Sequence, residues 1–414
     1  MPTTVGTPSV VPGEGVRLRT LFLGLLWFAG GPGGVAHAEP APADLELRYL
    51  HGSTRRLGQL VGDRDLSTGE PTPTQSQSRF GIVGTDLGYP FEHRGKTWFL
   101  FGDTIGRDRK SDVIGVLDTR NGDDPMRLDF LTGPDGRYLT ISPSGVDMGP
   151  FNVPVAGIDL DGTAYVIVKT GNGGRGSDRM RAVLTRYDDQ AQTFTVLREI
   201  SRRPAGKFLT VAMHEQTGPV QGLPDGGPWV YVWGTGKFRH SDCYLAIVPA
   251  RAFATGEGTL YYAGLGQTGT PIWSADAAAS RPVVDHPTMG DLSVTWVQDL
   301  GVWLMVYDSR NPIGILARTA PTPWGPWSAT STIVTREDAV GKLVHVPGGG
   351  DHLAWPEARE WGSSREGDRG APYAPYVVER FTRVNGDKLK IYYLLSTWNP
   401  YVVLAMSSEF TVEQ

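Results

Sequence analysis

Asp86 and Asp103 stand 17 residues apart in the string GTDLGYPFEHRGKTWFLFGD, Gly84 to Asp103, on either side of a turn around His93 to Gly95. The pattern predicts a β-hairpin whose strands run Asp86 to Glu92 and Thr97 to Asp103, with the two aspartates facing each other at its open end. Directly opposed residues on antiparallel strands hold their Cβ atoms about 4.5 to 5.5 Å apart, so the carboxyl groups would influence each other strongly. A neighbouring negative charge raises a carboxyl pKa, so one member of such a pair stays protonated unless a cation neutralises both. A protonated acid beside an ionised carboxylate is what glycosidic cleavage requires: one protonates the leaving oxygen, and the other attacks or activates water. The competing reading is structural, with both aspartates capping turns or pairing with Arg107 and Arg109.

The element that must position them recurs. FNVPVAGIDLDGTAYVIVKT (Phe151 to Thr170), EQTGPVQGLPDGGPWVYVWGT (Glu215 to Thr235), GDLSVTWVQDLGVWLMVYD (Gly290 to Asp308) and APYVVERFTRVNGDKLKIYYLLS (Ala374 to Ser396) each read as a hairpin, with Gly at the turn and Val, Ile, Tyr, Phe or Trp in the run that follows. Taking Gly95, Gly162, Gly226, Gly301 and Gly386 as turn markers, the copies recur every 64 to 85 residues. With 54 Gly and 31 Pro in 414 residues and no long helical pattern, the chain is expected to be all-β, a five-bladed β-propeller. Aligning the turns puts Asn152, Glu215, Asp291 and Tyr376 near the position of Asp86, at one mouth of the central channel. Glu215, Asp291, Asn152 and Tyr376 are therefore expected to tune the pair or bind substrate. Channel carboxylates can also hold a calcium ion or water, so a structural calcium is the alternative role. Asp291 and Asp308 repeat the 17-residue spacing, although Asp308 reads as a loop acid. Arg107, Arg109, Arg175, Lys237, Arg239 and Arg310 would give the acidic mouth a basic rim suited to sugar hydroxyls, with Arg107 the first candidate for substrate binding.

Arg17 and Arg19 precede an apolar run from Leu21 to Ala29, followed by Ala36-His37-Ala38, the pattern of a secretory signal at residues 1–38. Residues 39–78 read as a leader with a ring-closing strand in LELRYLHGSTRRLGQL, and residues 79–414 as the propeller. A secreted monomer is expected, without membrane attachment after cleavage. Its single Cys243 excludes an intramolecular disulfide, so stability must come from the core. A net charge of −5 and a pI of about 5.9 provide no global attraction to nucleic acid or anionic membrane. GNGGRGSDR (Gly171 to Arg179) lacks a phosphate-loop ending, and no zinc or Ser-hydrolase motif is present. His286 and His352, each beside an aspartate, read as turn residues. No cofactor is required and no residues are assigned to a metal.

RRLGQL (Arg55 to Leu60), GTDLG (Gly84 to Gly88), FLFGDT (Phe99 to Thr104), YVWGTG (Tyr231 to Gly236), GDLSVTW (Gly290 to Trp296), PWGPWS (Pro323 to Ser328) and STWNPYVVLAM (Ser396 to Met406) together resemble the domain of unknown function 4185 family. That family includes endo-acting D-arabinofuranases that cut the arabinan of mycobacterial and related cell walls. The resemblance implies a five-bladed propeller and glycoside hydrolysis, and it carries the family's paired acids onto Asp86 and Asp103. Where the family often shows Gly-Glu-Leu-Ser-Val, this chain has Asp291 after Gly290, a shorter acid with a different reach. The expectation is a secreted endo-glycosidase acting on α-D-arabinofuranosyl polymers. A non-catalytic carbohydrate-binding propeller is the alternative, and an interaction scaffold a third reading.

Overall fold

A computed structural model describes residues 45–106, 110–172, 177–338, 343, 372–398 and 400–413. The expected signal segment at residues 1–38, residues 39–44 of the expected leader, Arg107, Arg109, Arg175 and His352 lie outside these residues. The short strands β1 (Glu46–Tyr49) and β2 (Arg55–Gln59) and the single-turn helix α1 (Ser76–Phe80) precede five successive meanders. The first contains β3 (Ile82–His93), β4 (Lys96–Gly106), β5 (Lys110–Leu117) and β6 (Asp129–Phe130); the second contains β7 (Phe151–Leu160), β8 (Thr163–Gly171), β9 (Met180–Asp188) and β10 (Thr193–Arg202). The third contains β11 (Thr210–Glu215), β12 (Trp229–Thr235) and β13 (Ser241–Pro249), with the outlying pair β14 (Leu260–Leu265) and β15 (Pro271–Ser274). The fourth contains β16 (Pro282–Val297), β17 (Val302–Arg310), β18 (Ile313–Ala320) and β19 (Ser331–Thr335), and the fifth β20 (Tyr373–Val377), β21 (Arg383–Asn385), β22 (Lys388–Trp398) and β23 (Tyr401–Glu413).

Local chemistry accounts for the hairpins. Arg94-Gly95 and Asp161-Gly162 both place two consecutive residues in the left-handed region (φ 50° and 77°, 51° and 78°), the two-residue turn whose twist suits paired strands. Long-range contacts then build the ring. β3, β7, β11, β16 and β20, the first strand of each meander, touch in cyclic order, and β20 returns to β3. This closed circuit is that of a β-propeller. The third and fourth meanders join into one sheet because β13 pairs with the start of β16, from Ser241 opposite Met289 to Tyr244 opposite Pro282. β1 and β2 both pair with β23, from Glu46 opposite Glu413 to Gln59 opposite Leu404, so the two ends of the described chain complete the sheet of the fifth meander and cover its edge.

Aromatic side chains fill the space between meanders. Trp303 of β17 packs against Trp233 of β12 and Trp296 of β16, with ring centroids 5.1 Å away in both cases, and Trp98 of β4 meets Tyr187 of β9 at 5.5 Å. Burying rings of this size supplies much of the apolar area that stabilises a chain whose sole cysteine, Cys243, is a buried free thiol.

Candidate active site

In the first meander the ladder is irregular where the chemistry was expected. Asp86 pairs with Gly102 rather than Asp103, and the register shifts on both sides of it, between Gly84 and Asp86 and between Leu87 and Tyr89. On its other edge β4 passes from Phe101 opposite Val113 to Thr104 opposite Ser111. Gly102 and Asp103 thus form a bulge, with Asp103 in the left-handed region at φ 40°. The expected face-to-face placement of Asp86 and Asp103 is corrected accordingly: extra residues in the ladder re-aim the second aspartate. Its backbone N–H donates to Asp112 Oδ1 at 3.0 Å, which brings in a carboxyl group absent from the sequence reading. Asp112 is 3% exposed, as is Asp86. Burial pushes the Asp112 pKa well up, and the charges of Asp103 and Asp86 add to that, while the Asp103 N–H opposes it. The signal for Asp112 was an aspartate inside the otherwise apolar run DVIGVL.

Asp86 has a partner from the opposite end of the chain. Tyr373 Oη donates to Asp86 Oδ2 at 2.7 Å. The Tyr373 ring also covers the Arg239 guanidinium at 4.8 Å, and Phe238 flanks the same cation at 4.7 Å. Arg239 makes ion pairs with two acids of the fourth meander, Nη2 to Asp291 Oδ2 at 3.5 Å and Nε to Asp308 Oδ2 at 3.2 Å. The Asp291 N–H donates to Asp308 Oδ1 at 2.7 Å. Asp308 is 3% exposed within β17, not in a loop as its sequence context implied. Burial raises its pKa to about 6; Arg239 opposes this, Asp291 adds to it, and the N–H groups of Asp291 and Ala374 oppose it. Lys169 of β8, almost fully buried, donates to Thr210 Oγ1 at 3.2 Å and stands 5.6 Å from the Phe238 ring. Residues from all five meanders therefore meet in a contiguous chain of contacts around the three acids of the first.

The remaining candidates divide. Tyr376 is fully buried on β20, three residues beyond Tyr373, packed edge-to-face on Tyr89 with ring centroids 5.1 Å apart. Burial pushes its phenol pKa well up, reinforced by the charges of Asp291 and Asp308 and, further down, that of Asp86. Asn152 spends its Nδ2 on Gly149 O at 2.7 Å, so its amide braces local backbone. Glu215 is not placed with Asp86. It is the last residue of β11, paired with Val230, whereas β11 starts at Thr210 opposite Thr235. The alignment through Gly226 failed because residues 216–228 form a long connection rather than a tight turn. Glu215 instead lines a cavity of about 320 Å³ at the turn end of the hairpins, with Glu92, Asp159, His214, Glu379 and Arg380. His214 there donates Nδ1–H to Glu215 O at 2.6 Å and pairs through Nε2 with Glu379 at 3.2 Å. His286 belongs to β16 rather than a turn, and its Nε2 lies 2.9 Å from Ser309 Oγ.

This arrangement can hold charge in two states at once. It presents buried carboxyl groups under strong mutual repulsion, one of them hydrogen-bonded by a phenol, and a second acid couple neutralised by an arginine. Four non-glycine residues of this neighbourhood, Leu87, Asp103, Arg239 and Ala374, have φ between 40° and 64°. Backbone strain of that kind costs on the order of 1–3 kcal/mol per residue and clusters at functional sites.

Two fungal relatives match the chain along much of its length. Notoamide biosynthesis cluster protein J' of Aspergillus versicolor is 26% identical over 294 residues, 63% of this chain and 75% of the relative. Notoamide biosynthesis cluster protein J of Aspergillus sp. (strain MF297-2) is 27% identical over 317 residues, 69% and 77% of the two chains. Among solved structures, a GH43_1 enzyme from Xanthomonas citri aligns with a TM-score of 0.43 at 10% identity, covering 81% of this chain and 92% of that one. The exo-beta-1,3-galactanase of Phanerochaete chrysosporium aligns with a TM-score of 0.42 at 10% identity, covering 87% and 64%. The model of the family described as Domain of unknown function (DUF4185) matches residues 71–407, and the chain belongs to that family.

Proposed function

We propose that this protein is a secreted glycoside hydrolase that cleaves α-D-arabinofuranosyl linkages within cell-wall arabinan. The observation that carries the reading is the convergence of Asp86, Asp103 and Asp112 on three adjacent strands, with Asp86 hydrogen-bonded to Tyr373 and Asp112 pushed towards its protonated form. Carboxyl groups driven apart in this way supply both a proton and a negative charge at one pH. Asp86 and Asp103 divide the work. One protonates the glycosidic oxygen as the C–O bond breaks, and the other either attacks the anomeric carbon or removes a proton from the water that does. Asp291 with Arg239 borders the same site and is suited to hold sugar hydroxyls through charge-assisted hydrogen bonds. Arabinan as substrate, and action inside the polymer, rest on the family resemblance of GTDLG and FLFGDT together with the secretory pattern of residues 1–38.

A second reading is favoured by one observation. Asp86 and Asp112 are each only 3% exposed, which suits a propeller that binds carbohydrate without cleaving it. Incubating the mature protein with mycobacterial arabinogalactan and separating the released oligosaccharides decides between them. The hydrolase releases fragments, and Asp86→Asn and Asp103→Asn each lose about 10²-fold or more of the rate, as removal of a positioned acid or base does. Binding of the polymer without release, unchanged in both variants, sinks the hydrolase and supports the binding protein.

A further inference from the structure

We propose that Tyr373 is a positioning residue that clamps the Asp86 carboxylate and ties it to Arg239 on the far side of the site. The inference rests on the hydrolase reading and goes beyond it by assigning which acid carries the charge.

The geometry is unusual for a strand. β20 pairs Tyr373 with Ser396 and Tyr376 with Leu394, so one extra residue lies between them on β20. In this bulge Ala374 takes φ 51° while fully buried. The result is that two consecutive residues serve two different acids. Tyr373 sends its hydroxyl to Asp86 Oδ2 at 2.7 Å, and Ala374 sends its N–H to Asp308. Arg239, itself at φ 52°, closes the circuit by pairing with Asp291 and Asp308 while its guanidinium lies against the Tyr373 ring. A cation on the ring face and a carboxylate at the hydroxyl fix the phenol at both ends.

The charge assignment follows from what else faces Asp86. The groups that act on Asp86 include Asp112 on β5 and Tyr373 and Tyr376 on β20. The charge of Asp112 disfavours ionisation of Asp86, and the hydrogen bond from the Tyr373 phenol favours it. The hydroxyl of Tyr373, backed by Arg239, tips Asp86 towards the carboxylate. Asp86 then acts as nucleophile or base, and the proton is left to the Asp103 and Asp112 side.

Tyr373→Phe tests this because it deletes one hydroxyl and keeps the ring over Arg239. The acid limb of the kcat/KM profile on arabinogalactan should move up by roughly one pH unit, with about tenfold loss below that limb and recovery above it. KM should change less than twofold. Arg239→Gln should move the limb in the same direction and serves should Tyr373→Phe fold poorly. A uniform loss at every pH with the limb unmoved overturns the proposal, since a merely structural role would act that way. A second readout is independent of turnover. In protein carrying ¹³C-carboxyl aspartate, the signal lost in Asp86→Asn should titrate about one unit higher in Tyr373→Phe, and an unchanged titration overturns the proposal. Absence of arabinan cleavage by the wild type with this titration shift intact would refute the hydrolase reading and leave the clamp standing.

Discussion

Gly102→Ala is the smallest change that presses on the centre of the site. Gly102 lies opposite Asp86, and its φ is not in the left-handed region, so alanine is opposed only by space. An added Cβ would stand 2.7 Å from Leu87 Cδ1, 3.1 Å from Asp86 Oδ1 and 3.2 Å from Leu87 Cγ. Ordinary carbon contacts are about 3.5 to 4.0 Å, so Leu87 must retreat by close to an ångström. It has little room, being 7% exposed and held at φ 64°. Overpacking of this kind costs about 1–3 kcal/mol. Asp86 must give a few tenths of an ångström as well, against its hydrogen bond to Tyr373. Displacing a reacting group by around 1 Å can cost about 10²-fold in rate, and a smaller shift should cost about tenfold. Reducing-end release from arabinogalactan and a urea unfolding curve measure the two effects together. Gly266→Ala is the control, because its added Cβ would meet nothing nearer than 3.6 Å. If Gly102→Ala matches that control in both rate and stability, the packing of Gly102 against Asp86 and Leu87 does not position the acid.

Asp308→Asn should change how stability depends on pH. Burial, with Asp291 adding and Arg239 opposing, holds the folded Asp308 pKa at about 6, above its ordinary 3.8. A raised folded pKa gives stability that is fully present below about pH 4 and lost as pH rises through 6, on the order of 3 kcal/mol from about 1.4 kcal/mol per unit. Urea midpoints at pH 4.5 and 7.5 should therefore differ less in Asp308→Asn than in the wild type, and an equal difference refutes the assignment. Asp112→Asn keeps an oxygen for the Asp103 N–H and removes a titratable proton, so a change in the basic limb of the pH-rate profile with stability within about 1 kcal/mol is expected. A profile identical to wild type would show that Asp112 does not act on Asp103. Removing residues 39–59 strips β1 and β2 from β23 and leaves an open sheet edge. Loss of the cooperative unfolding transition, or aggregation at micromolar concentration, is expected by light scattering and calorimetry, and an unchanged Tm would show that ring closure does not depend on these strands.

Local pattern determined much of this molecule. Two-residue turns such as Asp161-Gly162, apolar alternation and the recurring aromatic runs dictate hairpins wherever they occur, because turn geometry and side-chain period are properties of neighbouring residues. Repetition of the hairpin then implies a ring, and the acids of the first and fourth copies were visible as residues in it. What tertiary structure alone decided was where those acids point. One extra residue at Gly102–Asp103 and another at Ala374–Pro375 shift the ladders, and a one-residue slip turns a side chain to the other face of a sheet. That is why Asp103 does not oppose Asp86, why Tyr373 rather than Tyr376 reaches it, and why Asp112 enters the site. Glu215 was misplaced for a related reason, since a long connection replaced the tight turn that would have set its register. Above all, the partners of Asp86, Asp291 and Asp308 come from distant parts of the chain. Tyr373 lies 287 residues from Asp86, and no sequence period carries a contact that exists only once the five meanders have closed into a ring.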